Sequence, residues 1–225
     1  MNIGIIGCGW LGKPLAKYLA QDHTVTCYTR EALSTSFWDN ELFIIAISTK
    51  DNYLQSLRDF LSHIPSHVPI IFTSSTSVYK EYDKEVDESS VISIKSLQKE
   101  AEELIQNSTH PLLILRLGGL MGEDRIAGKW KSTKIFSDSP VNYIHLDDLI
   151  QIISKLIKKR VSKGIYNLVA PQHPMRSQVH QKNAKHFGFE LGKFKGISHR
   201  IVNSNKIIKE LNYTFIHPNP LEFWT

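Results

Sequence analysis

The sequence predicts an α/β fold built on a doubly wound, mainly parallel sheet. Three observations predict it. Apolar strand patterns alternate with amphipathic helix patterns along most of the chain. The first strand runs directly into Gly7-Cys-Gly-Trp-Leu-Gly12, a GxGxxG sequence that opens a helix, as in Rossmann-type folds. Only residues 31–41 separate Arg30 from the next strand at Leu42, so we expect a sheet shortened after its second strand.

The elements of the first half each have a local reason. After the opening strand, Leu11, Leu15 and Leu19 fall on one helical face, and Pro14 lies in the first turn, where its missing N–H costs little. Apolar runs predict the strands, and i, i+3, i+4 spacing predicts the helices. The predicted strands are 2–6, 24–29, 42–47, 68–72 and 112–117, and the predicted helices are 12–20, 52–63 and 96–106.

The second half is less regular. Residues 118–139 are rich in Gly and Lys and predict a loop, which we expect to contribute to the substrate side. Asp147 and Asp148 precede an amphipathic helix, a strand follows at 164–169, and two helices at 176–187 and 204–211 end at Gly188 and Asn212. We expect residues 1–170 to form a dinucleotide-binding domain and residues 171–225 a small C-terminal substrate lobe.

Composition excludes several classes of function. The net charge of +5 comes mostly from Lys, and the densest basic run, 155–160, lies at a helix end where cations complement the dipole, so no nucleic-acid partner is predicted. No apolar run is long enough to span a membrane, and the N-terminus has no signal-peptide pattern. Cys8 and Cys27 are too few for a disulfide framework and lack metal-ligand spacing. We therefore expect a cytoplasmic protein without a metal site.

The glycines of the first turn predict a pyrophosphate site. Gly7 permits the tight turn, Gly9 permits close approach of phosphate, and Gly12 permits close packing of helix on strand. Trp10 and Leu11 lie between them, and their amides face the anion at the helix N-terminus. The alternative is a Gly-rich turn that binds no ligand.

The end of the second strand decides between NAD and NADP. An acidic residue there would bind the ribose hydroxyls, whereas an Arg accommodates a 2′-phosphate. The strand ends in Thr29 and Arg30, with no acid at its tip, which favours NADP over NAD; the alternative is that Arg30 is an ordinary exposed loop residue. Ser48 and Thr49 follow the third strand and are expected beside the adenine or ribose.

Hydroxyl side chains follow the next buried strand, in the segment Ser74-Ser-Thr-Ser-Val-Tyr79. Ligands bind at the carboxyl ends of strands in open α/β sheets, so these hydroxyls can hold a substrate carbonyl or hydroxyl. A strand exit that merely caps a turn explains the same residues equally well.

At this point the chain resembles a known family, the extended short-chain dehydrogenases/reductases of the NAD(P)-dependent epimerase/dehydratase group. The GxGxxG spacing and the short length look most like its atypical, YeeZ-like branch. The resemblance covers nearly the whole chain and is carried by Ile71–Tyr79 (the family's SSxxVY), Leu115–Gly122 (LRxxxxYG), Tyr143–Asp148 (IHVDD), Gly164–Leu168 (GxYN) and Asn203–Leu211 (SNxxLxxLG).

The resemblance implies a catalytic Ser and a Tyr-xxx-Lys pair on the next helix. Ser75 matches the Ser, but Ile94 and Gln98 occupy the Tyr and Lys positions. Isoleucine cannot donate a proton, so either another group serves as the acid or the usual reaction is not run. Tyr79 is the leading substitute, and Tyr82 and His145 are alternatives. Family members often form homodimers through this helix, but the altered helix weakens that inference, so a homodimer is one alternative and the oligomeric state stays open.

These features predict an NAD(P)-binding oxidoreductase or epimerase-like protein, with Ser75 and Tyr79 as site residues. Its substrate would be a small molecule, such as a sugar nucleotide or a carbonyl compound. A non-catalytic NADP(H)-binding sensor or partner-binding protein is the alternative. The GxGxxG segment also resembles the start of β-hydroxyacid dehydrogenases, but their all-helical second domain does not fit a chain whose strands persist to Val169.

Overall fold

The computed structural model describes residues 1–28, 35–49, 52–79, 84–92, 96–129 and 135–224. The first half forms β1 (Asn2–Ile6), α1 (Gly12–Leu19), β2 (Thr24–Tyr28), β3 (Leu42–Ile45), α2 (Tyr53–His63), β4 (Ile70–Ser75), β5 (Glu85–Val86), α3 (Leu97–Gln106) and β6 (Leu112–Leu117). The second half forms β7 (Gly119–Met121), β8 (Phe136–Asp138), β9 (Tyr143–His145), α4 (Leu146–Lys158), β10 (Gly164–Leu168), α5 (Arg176–Phe187), β11 (Phe194–Ile197), β12 (Ile201–Val202) and α6 (Asn205–Leu211).

A six-stranded parallel sheet organises the chain in the order β10-β6-β4-β3-β1-β2. β1 pairs in parallel with β2 on one side and with β3 on the other, and β3 pairs with β4. All residues of β3 are buried, as the continuous apolar run predicts for a central strand. The predicted doubly wound α/β fold is confirmed, and the carboxyl ends of β1, β3 and β4 share one edge of the sheet.

The shortened edge is also confirmed, because β2 ends the sheet on that side within the described residues. A short 3₁₀ turn at residues 35–39 stands in place of a longer connection. Its Phe37 and Trp38 rings pack against Tyr28 with centroids 5.4 and 5.8 Å away. The side-chain amide of Asn40 donates to Thr26 Oγ1 at 3.0 Å and ties this turn to β2.

The chain divides into two compact units that interleave along the sequence. The first unit comprises Met1–Val78, Ile92–Arg116 and Ile153–Tyr166, and the second comprises Tyr79–Val91, Leu117–Ile152 and Asn167–Thr225. Each has its own apolar core, around Phe43 and Phe72 in the first and around Val141 and Val179 in the second. The predicted roles of residues 1–170 as the dinucleotide-binding domain and of residues 171–225 as the substrate lobe stay a prediction.

The loop expected at 118–139 is wrong in part, because β7 and β8 lie within it. β7 pairs in parallel with β9, and Gly119 makes the pairing possible: a Cβ there would lie 2.6 Å from the Tyr143 ring. β8 pairs with β11. Each strand is only three residues long, too short for an alternating pattern to stand out from the Gly- and Lys-rich background.

The predicted helix ends are confirmed. Gly188 and Asn212 both take the left-handed conformation, with φ of 67° and 46°. Among the described residues, no helix is both long and apolar enough to cross a membrane.

Candidate functional site

The GxGxxG turn of the first unit has three glycines with three different geometries. Gly7 has a φ of +104°, and a Cβ there would lie 2.4 Å from the carbonyl oxygen of Ala46. A Cβ at Gly12 would lie 2.3 Å from the carbonyl oxygen of Gly7. A Cβ at Gly9 meets no atom of the described chain within 4 Å. Gly7 and Gly12 are therefore required by the fold itself, whereas the absence of a side chain at Gly9 keeps a space open.

α1 begins directly after this turn without a side-chain cap. Leu11 is the N-cap residue and makes no side-chain hydrogen bond, and the helix hydrogen bonds begin with the Lys13 amide donating to the Gly9 carbonyl at 3.0 Å. Trp10 and Leu11 lie in the turn between Gly9 and Gly12, and their role in cofactor binding stays a prediction. An uncapped helix N-terminus carries N–H donors and a positive dipole end, so it can receive an anion.

The turn contains a covalent link that sequence analysis did not predict. Cys8 and Cys27 form a disulfide, with their Cα atoms 5.9 Å apart. The register of β1 and β2 explains the pairing, because Cys27 lies opposite Ile5 and Cys8 comes three residues after Ile5. Two cysteines far apart in sequence carry no pairing signal until this register is known.

The residues expected to choose between NAD and NADP, Thr29 and Arg30, lie outside the described residues. Ser48 and Thr49 are described and are both exposed. They follow β3 at the edge that also carries the glycine turn, because the Ala46 amide donates to the Ile6 carbonyl at 2.8 Å. Their place beside an adenosine remains a prediction.

Ser75 is the last residue of β4 and lies at the same carboxyl edge of the sheet. Its side chain is half-buried, and its Oγ accepts a hydrogen bond from the Ser77 amide at 3.1 Å. This contact is the turn-capping role that sequence analysis kept as an alternative. It uses one lone pair of the hydroxyl, which leaves the O–H able to donate to a ligand.

A buried ionic cluster that was not predicted from the sequence begins at Ser74, the neighbour of Ser75. Ser74 Oγ donates to Glu102 Oε1 at 2.6 Å, and Arg116 Nη2 donates to Glu102 Oε2 at 2.7 Å. Glu102 and Arg116 are only 1% and 3% exposed. Burial, with the nearby Glu102 carboxylate, raises the pKa of Tyr53 to about 12.

A signal for this cluster was present in the sequence. Glu102 lies beside Ala101 on the apolar face of α3, and Arg116 interrupts the apolar strand LLILRL. A charged residue within a buried apolar pattern requires a partner of opposite charge, so the sequence alone could have suggested that Glu102 and Arg116 pair.

The helix that should carry the family's Tyr-xxx-Lys begins where it was predicted. Ser96 caps α3 by accepting from the Lys99 amide at 3.1 Å. Ile94 lies outside the described residues, and Gln98 is half-buried in the first turn. Lys99 forms an ion pair with Glu103 at 2.8 Å along its own helix.

Tyr79 lies in the second unit and is 2% exposed. Its hydroxyl donates to Asn167 Oδ1 at 2.7 Å. The Asn167 amide group in turn donates from Nδ2 to the carbonyl of Asn203 at 3.0 Å, and its backbone N–H donates to Glu88 at 2.7 Å. Tyr79 thus anchors the GxYN strand, and a catalytic role for it stays a prediction. Tyr82, the other tyrosine considered, lies outside the described residues.

His145, the third acid–base candidate, ends β9 in the second unit and is buried. Its Nδ1 lies 3.3 Å from Asp147 Oδ2, and its ring lies 3.8 Å from that of His217. Burial is the main cause that lowers the pKa of His145, and the neighbouring His217 lowers it further, while Asp147 and Asp148 oppose the shift. His145 is therefore part of a polar cluster, which sequence analysis did not predict.

A cavity of about 400 Å³ also lies in the second unit, on the segment expected to serve the substrate. Three apolar and three charged side chains line it: Leu120, Met121, Asp124, Arg125, Ile126 and Lys129.

Comparisons with known proteins find similarity both in sequence and in fold. No protein-family model matches the chain. Protein YeeZ of Escherichia coli K12 is 27% identical to it over 98% of this chain and 97% of YeeZ. The chain is therefore similar to YeeZ along its whole length.

Its fold is shared with solved epimerases. A structure described as a proposed NAD-dependent epimerase/dehydratase, from Methylobacillus flagellatus, matches with a TM-score of 0.79 at 23% identity, over 99% of this chain and 96% of that one. The human epimerase family protein SDR39U1, solved with NADPH, matches with 0.76 at 14% identity, over 99% and 97%. UDP-glucose 4-epimerase from Bifidobacterium longum, solved with NAD⁺ and UDP, matches with 0.79 at 16% identity, over 99% and 96%. The chain therefore shares the fold of these epimerase structures, as the resemblance predicted.

Proposed function

We propose that the chain binds a nicotinamide dinucleotide and acts as an epimerase/dehydratase-like or reductase enzyme on a small molecule. The observation that carries this proposal is the geometry of the glycine turn. Gly9 keeps a space open beside an uncapped helix N-terminus, although nothing in the packing of the described chain requires a glycine there. A pyrophosphate site would give that glycine a function, and this supports the proposal.

The residues of the turn fit the group. The amides of Trp10, Leu11 and Gly12 would hold the pyrophosphate, and Ser48 and Thr49 would lie beside the adenosine. A dinucleotide bound there supplies a hydride acceptor or donor. The protein's own part is to orient it and to provide groups for the substrate.

The choice of cofactor within this proposal is NADP. Thr29 and Arg30 would accommodate a 2′-phosphate at the end of β2. Among the structural relatives, SDR39U1 was solved with NADPH and the Bifidobacterium epimerase with NAD⁺, so their likeness supports a nicotinamide cofactor of either kind.

On the substrate side, Ser75 and Tyr79 are the proposed functional hydroxyls. Ser75 would donate to a carbonyl or hydroxyl of the substrate. Arg125 and Lys129 line the cavity of the second unit and would attract an anionic group. A sugar nucleotide has such a group in its diphosphate, and UDP was solved bound to the Bifidobacterium epimerase.

A second candidate is a dinucleotide-binding protein that does not turn over substrate. It is favoured by one observation, that Gln98 stands where the family has its Lys. The cytoplasm is the proposed location and a homodimer the proposed assembly. Because disulfides are rare in reducing compartments, the redox state of Cys8 and Cys27 in cells tests the location directly.

The experiment that tests the proposal compares NADPH and NADH binding in the native protein with binding in Gly9→Val. The φ of Gly9 suits any residue, and the space is open, so this substitution should leave thermal stability nearly unchanged. It should weaken binding at least tenfold, because the side chain fills the space of the phosphate. Ser162→Val, at an exposed position, is the control and should change neither property.

Two outcomes would contradict the proposal. One is the absence of measurable affinity for either cofactor in the native protein. The other is unchanged affinity in Gly9→Val. If binding holds but Ser75→Ala and Tyr79→Phe leave a detected turnover untouched, their catalytic roles fail and the second candidate gains support.

A further inference from the structure

Two histidines and an aspartate of the second unit converge at the start of α4. His145 ends β9, Asp147 lies in the first turn of α4, and His217 belongs to the C-terminal segment. Asp147 Oδ2 lies 3.3 Å from His145 Nδ1 and 3.0 Å from His217 Nε2. The three donor atoms lie within 4.8 Å of one another. We propose that these three side chains bind one divalent transition-metal ion of the zinc class.

The separations suit a common ion. Two donors that each lie ~2.1 Å from a tetrahedral ion are ~3.4 Å apart, close to the distances at Asp147. Two imidazole nitrogens and one carboxylate oxygen form a donor set that zinc and its first-row neighbours prefer over calcium or magnesium. Three protein ligands leave at least one coordination position for water or another ligand.

The lone pairs of the cluster also call for a cation. The Asp147 backbone N–H donates to His145 Nδ1 at 3.3 Å, which makes Nδ1 an acceptor. The lone pair of a neutral Nδ1 therefore lies near the carboxylate oxygen, an unfavourable contact between two acceptors. A metal ion between them removes the repulsion and replaces the long hydrogen bond.

The ligands are held in place by their surroundings. Asp148 is fully buried and accepts from the His217 amide at 3.0 Å and from the Ile216 amide at 2.7 Å, which fixes the backbone that carries the His217 ring. Gly122 packs against the other edge of His145, where a Cβ would lie 3.1 Å from Nε2. The ring of His145 thus presents Nδ1 to Asp147. Such supporting contacts raise metal affinity by fixing ligand geometry before the ion arrives.

The cluster is open on one side. The Asp147 side chain is 56% exposed, that of His217 is 25% exposed and that of His145 is 11% exposed. An ion can therefore enter past Asp147, and a water molecule can complete its coordination.

The test uses the whole chain after dialysis against a chelator. Co²⁺ is titrated while its visible absorption is recorded, and Zn²⁺ binding is measured by calorimetry. We expect one ion per chain, with Co²⁺ bands typical of nitrogen and oxygen ligands. His217→Ala and Asp147→Asn should each weaken binding at least tenfold. His186→Ala is the control, because His186 is exposed near the end of α5 and is not one of the three proposed ligands.

The proposal is overturned if no stoichiometric binding is detected, or if His186→Ala weakens binding as much as His217→Ala does. Circular dichroism of each variant confirms that it is folded. Neither readout depends on NAD(P) or on turnover, so this inference stands or falls separately from the proposed function.

Discussion

The buried pair of Glu102 and Arg116 should be a principal support of the candidate site, and Glu102→Gln tests it. In the native protein both carboxylate oxygens of Glu102 accept from the Arg116 guanidinium, at 2.7 and 3.0 Å, and Oε1 also accepts from Ser74. A glutamine keeps the shape but turns one oxygen into an NH₂ group. That group must then face an N–H or O–H donor in an almost dry environment.

The expected cost follows from the burial of both groups. Removing one member of a buried ion pair typically costs ~3–5 kcal/mol, because the remaining charge has lost its counter-charge but not its desolvation. The Lys99–Glu103 pair on the same helix provides a matched control, since its side chains are 23% and 52% exposed. Glu103→Gln should cost only ~0.3–0.5 kcal/mol. Comparing the stability costs of Glu102→Gln and Glu103→Gln therefore separates the effect of burial from the loss of a carboxylate alone.

Equilibrium urea unfolding, followed by circular dichroism, measures both costs. The double variant Glu102→Leu/Arg116→Leu completes the test. Replacing the whole pair with apolar side chains should cost less than the sum of the costs of Glu102→Leu and Arg116→Leu measured singly. A cost for Glu102→Gln within ~1 kcal/mol of the control, or additive single changes, would refute the reasoning.

Three further predictions follow from other parts of the structure. Gly7→Ala should destabilise the protein clearly more than Gly9→Ala, as measured by thermal unfolding, because only Gly7 has a positive φ and a backbone oxygen 2.4 Å from the added Cβ. Burial, and to a smaller extent Arg176, lowers the pKa of His180 to about 4, whereas in the unfolded chain His180 takes up its proton near pH 6.5. The free energy of unfolding should therefore fall by up to about 3 kcal/mol as the pH drops from ~6.5 to about 4. His180→Gln should flatten this dependence in urea titrations at several pH values. Reduction by a dithiol should lower the free energy of unfolding by ~2–4 kcal/mol, because the Cys8–Cys27 bond closes a loop with a sequence separation of 19. The stability of Cys27→Ser should not respond to the dithiol. A native protein whose stability also does not respond would contradict the bond.

The sequence predicted the parts of the fold that local patterns encode. The apolar run of β3, the glycine turn before α1 and the left-handed ends at Gly188 and Asn212 each rest on a few neighbouring residues. The shortened sheet edge followed from chain length alone. These features need no knowledge of distant contacts, which is why they could be read from the sequence.

What the sequence did not reveal depends on contacts between distant segments. The Cys8–Cys27 bond requires the register of β1 and β2, and the His217 contact with Asp147 joins residues 70 positions apart. The three-residue strand β7 could not be predicted from its own sequence, because it is defined by its pairing with β9. The functional consequences are largest here, because both the unexpected disulfide and the proposed metal site arise from such long-range pairing.

Tyr79 shows why a matched motif does not by itself assign a role. The family pattern identified its position, but the structure gives its hydroxyl a buried acceptor in Asn167 at 2.7 Å. A tyrosine that acts as an acid must transfer its proton to the substrate. The Tyr79 hydroxyl instead donates a hydrogen bond to the side-chain oxygen of Asn167, whose other polar groups contact Asn203 and Glu88. If Tyr79 is catalytic, substrate must displace Asn167, and Tyr79→Phe should then lower kcat with little loss of stability. If it is an anchor, the same change leaves the Asn167 oxygen buried without that donor, and stability falls by ~1–3 kcal/mol while turnover per folded molecule is retained.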